Sequence, residues 1–532
     1  MGTLNVAELS IEEFRALTEA EKNYSLLDIR EPGEYNAGHI PNATLLQRRE
    51  IEFRIADLVP VRETPIIVVG DRGARARLAA TTMAFNGYKS VCLLRGGYPA
   101  WMETGQPAVT GTNVPSKRFG EEIHRKCGVP EIDPQELHLR MARGEAIRVL
   151  DARTPEEYGR FCIPEGVNVP GGDLVLWAGD LTKEPGGLIV VNCAGRTRGI
   201  IGTETLRLLG LENVRALKNG TMGWLLSGLE LEQGPDRATA GPSEMSRKFA
   251  EEQAGRIARS ERVPSLPVPE LRRLMDQRGR RTLYLVDVRS AREYAAGHIP
   301  GFQCVPGGQA IQRADDYIAV RQSTIVFACD LSARAVMAAY WYRAMGFNDV
   351  YFVRGGVEAW RESGLEIETG EPVKPVAGLE RARGAARFIS ARELAAELSG
   401  RNSPVILDVG ASREYGRGHI PGALWLSRGW LEEKFPAALS DLDRPVVITC
   451  PTGDHSTLAG ATLREIGYRN VFVLKNGTAA WTQEGLALQI GLTRMLSEPN
   501  DVVLSASITG DREAMRRYLE WEVELGTKCE KS

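Results

Sequence analysis

Residues 189–199 of this 532-residue chain read IVVNCAGRTRG. An apolar run stops at Cys193, arginines follow at +3 (Arg196) and +5 (Arg198), and the chain then turns helical in TRGIIGTETLRLLG. A cysteine at a strand end before a helix has its sulfur ringed by backbone N–H groups and faced by the positive end of the helix, which favours the thiolate. Arg196 and Arg198 add fixed positive charge, and such surroundings lower a cysteine pKa below its free value of about 8.5. The same cradle, formed by Ala194, Gly195, Arg196, Thr197 and Arg198, suits a tetrahedral oxyanion. Two chemistries fit: attack on phosphorus, or attack on a sulfane sulfur carried by a sulfonate-like anion.

The elements that must position this loop recur four times. LLDIREPGEYNAGHIP, VLDARTPEEYGRFCIP, LVDVRSAREYAAGHIP and ILDVGASREYGRGHIP share one plan, as do LLRGGYPAW, ALKNGTMGW, FVRGGVEAW and VLKNGTAAW. Asp28, Asp151, Asp287 and Asp408 each lie 11 residues before His39, Cys162, His298 and His419. A further 31 residues lead to Gly70, Cys193, Cys329 and Cys450, and 31 more to Trp101, Trp224, Trp360 and Trp481. Four copies without an insertion are repeats of one domain. Inside the second copy, IRVLD and GLIVVN read as buried strands, TPEEYGR as a helical turn, TRGIIGTETLRLLG as a helix and VRALK as a strand. Apolar strands alternating with helices predict an α/β fold whose central sheet is mainly parallel and covered on both faces. Ligands in such sheets sit at the C-terminal strand ends, where Cys193 falls.

The copies differ in their loops. The first, GDRGAR, keeps Arg75 at +5 but has Gly70 in place of a thiol, so a structural role is expected. The third has Cys329 and Arg334, with Asp330 opposing thiolate formation. The fourth has Cys450, but His455 stands at the arginine position after Asp454, which predicts anion affinity that is weak or dependent on acidity. Cys162 replaces the histidine of GHIP and reads as a small buried thiol at a corner, and His39, His298 and His419 read as parts of a fixed turn.

Together, the D-x-R…EY…GHIP block, the strand-end cysteine with arginine at +5 and the closing G-x-x-x-W block resemble rhodanese domains. The resemblance covers nearly all of the chain outside its linkers and tail. It implies four tandem rhodanese-like domains and a thiosulfate sulfurtransferase activity. Cysteine would take sulfane sulfur from thiosulfate or a persulfide and pass it to cyanide, a thiol or a protein acceptor. Cys193 is the leading catalytic candidate, with Cys329 and Cys450 behind it; Ala194, Gly195, Arg196, Thr197, Arg198 and Arg334 are expected to bind substrate. Relatives of this fold that act as phosphatases or arsenate reductases resemble a loop one residue longer, with arginine at +6, where this chain has Gly199 and Ala335. Mercaptopyruvate-specific relatives resemble CGSGVT, which none of the four copies has. A sulfur carrier or scaffold with little small-molecule turnover is the alternative from another class.

Domains are expected at 1–112, 113–240, 241–372 and 373–495, with a tail at 496–532. Gly- and Pro-rich stretches near 232–246 and 370 mark linkers, and SRKFAEEQAGRIARSER predicts an exposed connecting helix. In the tail, Tyr518, Trp521 and Leu525 at helical spacing predict a helix packed on a domain. With 43% hydrophobic and 25% charged residues and a net charge of −3, nothing draws the chain to nucleic acid or anionic lipid. No leader or membrane-spanning run is seen, so a cytoplasmic protein is expected. The eight cysteines lack metal-ligand spacing, and neither metal nor cofactor is expected. Cys92 and Cys304 read as core residues, Cys127 and Cys529 as exposed.

Overall fold

The computed structural model describes residues 6–20, 23–183, 186–235, 237, 241–371, 374–400 and 403–527. Among them lie four five-stranded sheets of one topology, each wholly parallel, and one short antiparallel ribbon joining Phe161–Cys162 to Glu232–Gln233. The second sheet runs, in spatial order, Glu131–Ile132, Val214–Leu217, Leu188–Asn192, Ile147–Asp151 and Val167–Asn168. Its central strand Leu188–Asn192 is buried along its whole length, as a strand covered on both faces requires. The helix Thr197–Leu208 follows it. Four α/β domains with helices on both faces of a parallel sheet are therefore present.

The repeated motifs are clamps at the C-terminal edge of each sheet. Asp151 accepts hydrogen bonds from the backbone N–H and guanidinium of Arg153, whose Nη2 donates to the Phe161 carbonyl at 2.6 Å. Arg30 reaches the Gly38 carbonyl and Arg289 the Gly297 carbonyl in the same way, both at 2.7 Å. In the fourth domain Gly410 replaces the arginine, and the Trp425 indole donates to the Gly410 carbonyl instead. His39, His298 and His419 stack on Tyr35, Tyr294 and Tyr415, with Nδ1 2.9 Å from the same tyrosine's carbonyl. Each motif tryptophan is buried, and its indole donates to a carbonyl six residues on, as Trp224 does to Glu230.

By backbone contacts the chain gathers into two compact units that do not follow chain order. One comprises Met1–Thr112, Ala319–Arg321 and Val373–Val503, and so holds the first and fourth sheets. In it, Arg48 binds Glu432 (2.8 Å) while Arg428 binds Glu52 (3.0 Å), a reciprocal pair shifted by the 380-residue interval between the copies. The other comprises Asn113–Ile318, Gln322–Pro372 and Leu504–Ser532, and holds the second and third sheets with the tail. There the domains meet through bare backbone: a Cβ on Gly172 would lie 2.8 Å from the Gly307 Cα. The Trp341 indole donates to Thr205 Oγ1 at 3.0 Å across the same junction.

The connecting helix, expected to be exposed, is instead Glu244–Ser260 with Ser246, Ala250, Ala254 and Ile257 buried. It packs on the helices Leu174–Leu181 and Ala333–Ala344, because small residues at its i, i+4 positions allow close approach. The tail forms the helix Arg512–Thr527. Met515 and Leu519 join Met222 in a small core, and the helix lies along Val114–Cys127. Among the described residues no helix is long and apolar enough to cross a membrane.

Candidate active site

The loop after Leu188–Asn192 is held from below and from one side. The Cys193 carbonyl accepts the Thr221 N–H at 2.8 Å and the Ala194 carbonyl the Met222 N–H at 3.1 Å, which docks the G-x-x-x-W helix onto the nucleophile position. Gly220 has φ +55, and a Cβ there would overlap the Cys193 carbonyl oxygen, so this contact requires glycine. Gly97, Gly356 and Gly477 repeat it.

Arg198 is buried beside Cys193 and is gripped by Glu157 at 2.6 and 2.8 Å. Glu157 is itself fixed in a capping box with Thr154. Burial pushes the Glu157 carboxyl up, but the bonds and charge of Arg198 outweigh it and hold the pKa at about 2. Arg198 is thus a permanent cation that, among the described residues, is bound by one carboxylate. The equivalent pairs are Glu34–Arg75 and Glu293–Arg334, always 41 residues apart, a constant spacing through which the glutamate's role could have been found in the sequence.

Arg196 does not serve the cysteine as expected. Its guanidinium binds Glu121 (2.6 and 3.0 Å), Glu131 (3.1 Å) and Asn219 (3.1 Å), so its charge is spent on the helix Val114–Cys127 and the sheet edge. Nor does the loop of itself yield a low thiol pKa. Cys193 is 3% exposed, and burial pushes its thiol above the ordinary value, against Arg198 and the N–H groups of Gly199 and Gly195. The cover is the tail helix: Glu522 Oε1 accepts from Thr197 Oγ1 at 2.6 Å and lies 3.4 Å from the Thr197 nitrogen, which donates to it.

The other loops differ in charge and burial. Arg334 is bound by three carboxylates, Glu293 (2.6 Å), Asp330 (2.9 Å) and Asp173 (2.8 Å), against one for Arg198. Asp173 comes from the second domain, and its counterpart 136 residues later is the neutral Gln309. Cys329 is fully buried, and burial, with the Asp330 charge second, raises its pKa well above the ordinary value. Cys450 is fully buried; its sulfur accepts the N–H groups of Gly453 (3.2 Å) and Ser456 (3.3 Å) without an arginine. His455 was expected to respond to acidity near neutral pH. Burial, together with Arg428 and Arg49, holds its pKa down at about 2, so it stays neutral. At Gly70 a Cβ would lie 2.7 Å from the Ala76 Cβ.

Cys162 is buried with its sulfur 3.6 Å from Arg237 Nη1. Cys92 and Cys304, expected in the core, are half-buried; Cys127 is exposed. Cys529 lies outside the described residues.

The rhodanese-like domain family matches residues 10–104, 133–227, 268–363 and 390–484. The crystal structure of a thiosulfate sulfurtransferase from Pseudomonas aeruginosa is similar over 98% of this chain and 97% of its own, at 35% identity and a TM-score of 0.90. The thiosulfate sulfurtransferase GlpE of Shewanella oneidensis is 33% identical over 97 residues, 18% of this chain and 91% of GlpE. The putative sulfur carrier protein YrkF of Bacillus subtilis is 31% identical over 97 residues, 18% of this chain, and the chain spans about half of YrkF (51%). With the parallel sheet, the docking glycine and the buried tryptophan repeated in four domains, and the strand-end cysteine with arginine at +5 in the second and third, the chain belongs to the rhodanese-like family, as a sulfurtransferase of the thiosulfate type built from four such domains.

Proposed function

We propose that this chain moves sulfane sulfur through a persulfide on Cys193, from thiosulfate or a persulfide donor to cyanide, a thiol or a protein acceptor. The Cys193 thiolate attacks the outer sulfur of thiosulfate; a new S–S bond forms, the donor's S–S bond breaks, and sulfite leaves with its electron pair. The acceptor's lone pair then attacks the terminal sulfur, and Cys193 departs as thiolate, so no outside oxidant or reductant is consumed. The observation that carries this reading is the Arg198–Glu157 pair beside Cys193: one cation balanced by one anion, where Arg334 faces three carboxylates and Cys450 has no arginine. Arg198 and the N–H groups of Gly195 and Gly199 stabilise the thiolate and the persulfide that replaces it. Similarity to the Pseudomonas and Shewanella enzymes supports thiosulfate as a donor.

The test is mass analysis of the full chain after thiosulfate treatment, together with thiocyanate production from thiosulfate and cyanide. Cys193 should gain one sulfur atom, and Cys193→Ser should abolish both sulfur gain and turnover. A Cys193→Ser variant of undiminished activity would overturn the assignment. The near-complete burial of Cys193 favours a second reading, a carrier that is loaded and discharged by proteins; a persulfide on Cys193 without thiocyanate production would establish it. No observation favours a phosphatase or arsenate reductase, whose arginine at +6 is here Gly199.

A further inference from the structure

Two unrelated helices deliver a carboxylate to the same place. In the second domain the tail helix puts Glu522 on the N–H and Oγ1 of Thr197. In the third domain the connecting helix Glu244–Ser260 puts Glu251 on the N–H groups of Ser332 (3.2 Å) and Ala333 (2.9 Å). Ala333 lies 136 residues after Thr197, the interval between the two copies. The first turn of the helix after the cysteine loop is therefore an anion seat, and in both domains a glutamate of the same chain occupies it.

The two seats are built differently. Glu251 accepts two backbone N–H groups and ties down a loop whose arginine is already over-neutralised. Glu522 is 1% exposed, and its second oxygen, Oε2, is buried without a hydrogen-bond partner among the described residues. That oxygen lies on the Cys193 side: it would be 3.1 Å from a Cβ on Gly195, whose N–H faces the cysteine. Beside it, the Lys117 ammonium sits over the rings of Tyr518 (5.1 Å) and Trp521 (4.9 Å). A buried carboxylate oxygen left without a donor is costly, and its presence beside the nucleophile points to a role in the site.

We propose that Glu522 is a specificity-determining residue of the Cys193 site: its carboxylate occupies the anion seat, so that a compact dianion such as thiosulfate enters against like charge. A thiol persulfide reacting as R–S–SH brings no charge on its sulfane sulfur and meets a smaller penalty. This rests on Cys193 as the sulfur-carrying residue. With the persulfide donor, Cys193–S⁻ attacks the terminal sulfur of R–S–SH, one S–S bond forms as another breaks, and R–S⁻ leaves. No oxidant or reductant is needed.

Glu522→Gln keeps the size and the acceptor oxygen for Thr197 while removing the charge. In the full chain, the variant should raise kcat/KM for thiosulfate about tenfold more than that for glutathione persulfide: the thiolate gained when the Glu522 charge leaves Cys193 is common to both donors, and like-charge juxtaposition penalises the dianion most. Sulfate binding, measured by calorimetry in a Cys193→Ser background, should tighten by about the same factor, which tests the seat without turnover. Glu251→Gln, on the third domain's loop, should leave both donors' kinetics unchanged. Equal effects of Glu522→Gln on the two donors, or none on thiosulfate and sulfate, would overturn the proposal. Tighter sulfate binding in a protein that never forms a persulfide would uphold the seat and overturn the sulfurtransfer reading of Cys193 instead.

Discussion

Glu157 and Arg198 face each other in a two-pronged ion pair, at 2.6 and 2.8 Å, with the arginine buried beside Cys193. The pairing fixes the direction of the guanidinium, and direction is what a positioned cation adds beyond its charge. Glu157→Gln keeps the capping geometry with Thr154 but releases one prong and the counter-charge. We expect kcat/KM for thiosulfate to fall about tenfold with the melting temperature little changed, since the loss is of alignment rather than of core.

The buried thiol sets a direction with pH. Burial stabilises the neutral form of Cys193 and raises its pKa above the ordinary value. Below that pKa the thiolate fraction grows about tenfold per pH unit. Sulfite release in a single turnover, followed as kcat/KM for thiosulfate, should therefore climb steadily from about pH 6 to about pH 9, a profile that reports the free enzyme. A plateau near neutrality would contradict the buried thiol.

Asp408 lost its arginine to Gly410, and burial, opposed by the Gly410 N–H and the Arg49 charge, raises its pKa from 3.8 to about 7. The folded state then binds this proton more tightly than the unfolded state, so the group's stabilising contribution is complete below pH 3.8 and is lost as pH rises through 7. Asp408→Asn carries no proton to lose. In urea titrations the unit holding the first and fourth sheets should become less sensitive to pH between these limits. At pH 8 it should exceed the parent by on the order of 2 kcal/mol.

Gly220→Ala places a methyl group against the Cys193 carbonyl in a left-handed backbone conformation. Stability should drop by about 2 kcal/mol, and thiosulfate turnover should fall further than stability explains, because the nucleophile's own peptide must shift. Chemical denaturation and thiocyanate production measured on one preparation separate the two effects.

What was legible in the sequence is what is local. The strand Leu188–Asn192 and the helix Thr197–Leu208 follow from apolar periodicity and from spacing repeated in four copies. What escaped is what joins residues far apart in the chain. Arg196 looked like a substrate ligand because it lies three residues from Cys193, yet Glu121 and Glu131 claim it from 75 and 65 residues away. Glu522 reaches Thr197 across 325 residues, and in its own helix it is one glutamate among several. The helix Glu244–Ser260 read as solvent-facing because its buried stripe is Ser, Ala, Ala and Ile, too small to register as apolar. The pairing of the second with the third sheet, and of the first with the fourth, left no local trace.

The glycine contact between the second and third domains makes the third domain part of the frame of the second. Where Gly172 meets Gly307 no side chain intervenes, so neither strand-end segment can shift without the other. Arg198 and Arg334 line one mostly apolar cavity of about 30 Å³ in that junction, walled by Ile201, Met337 and Trp341. The third domain is a mould against which the second is cast. The shape of the Cys193 loop then depends on residues of the third domain that lie outside that loop, whatever chemistry the third domain itself carries out.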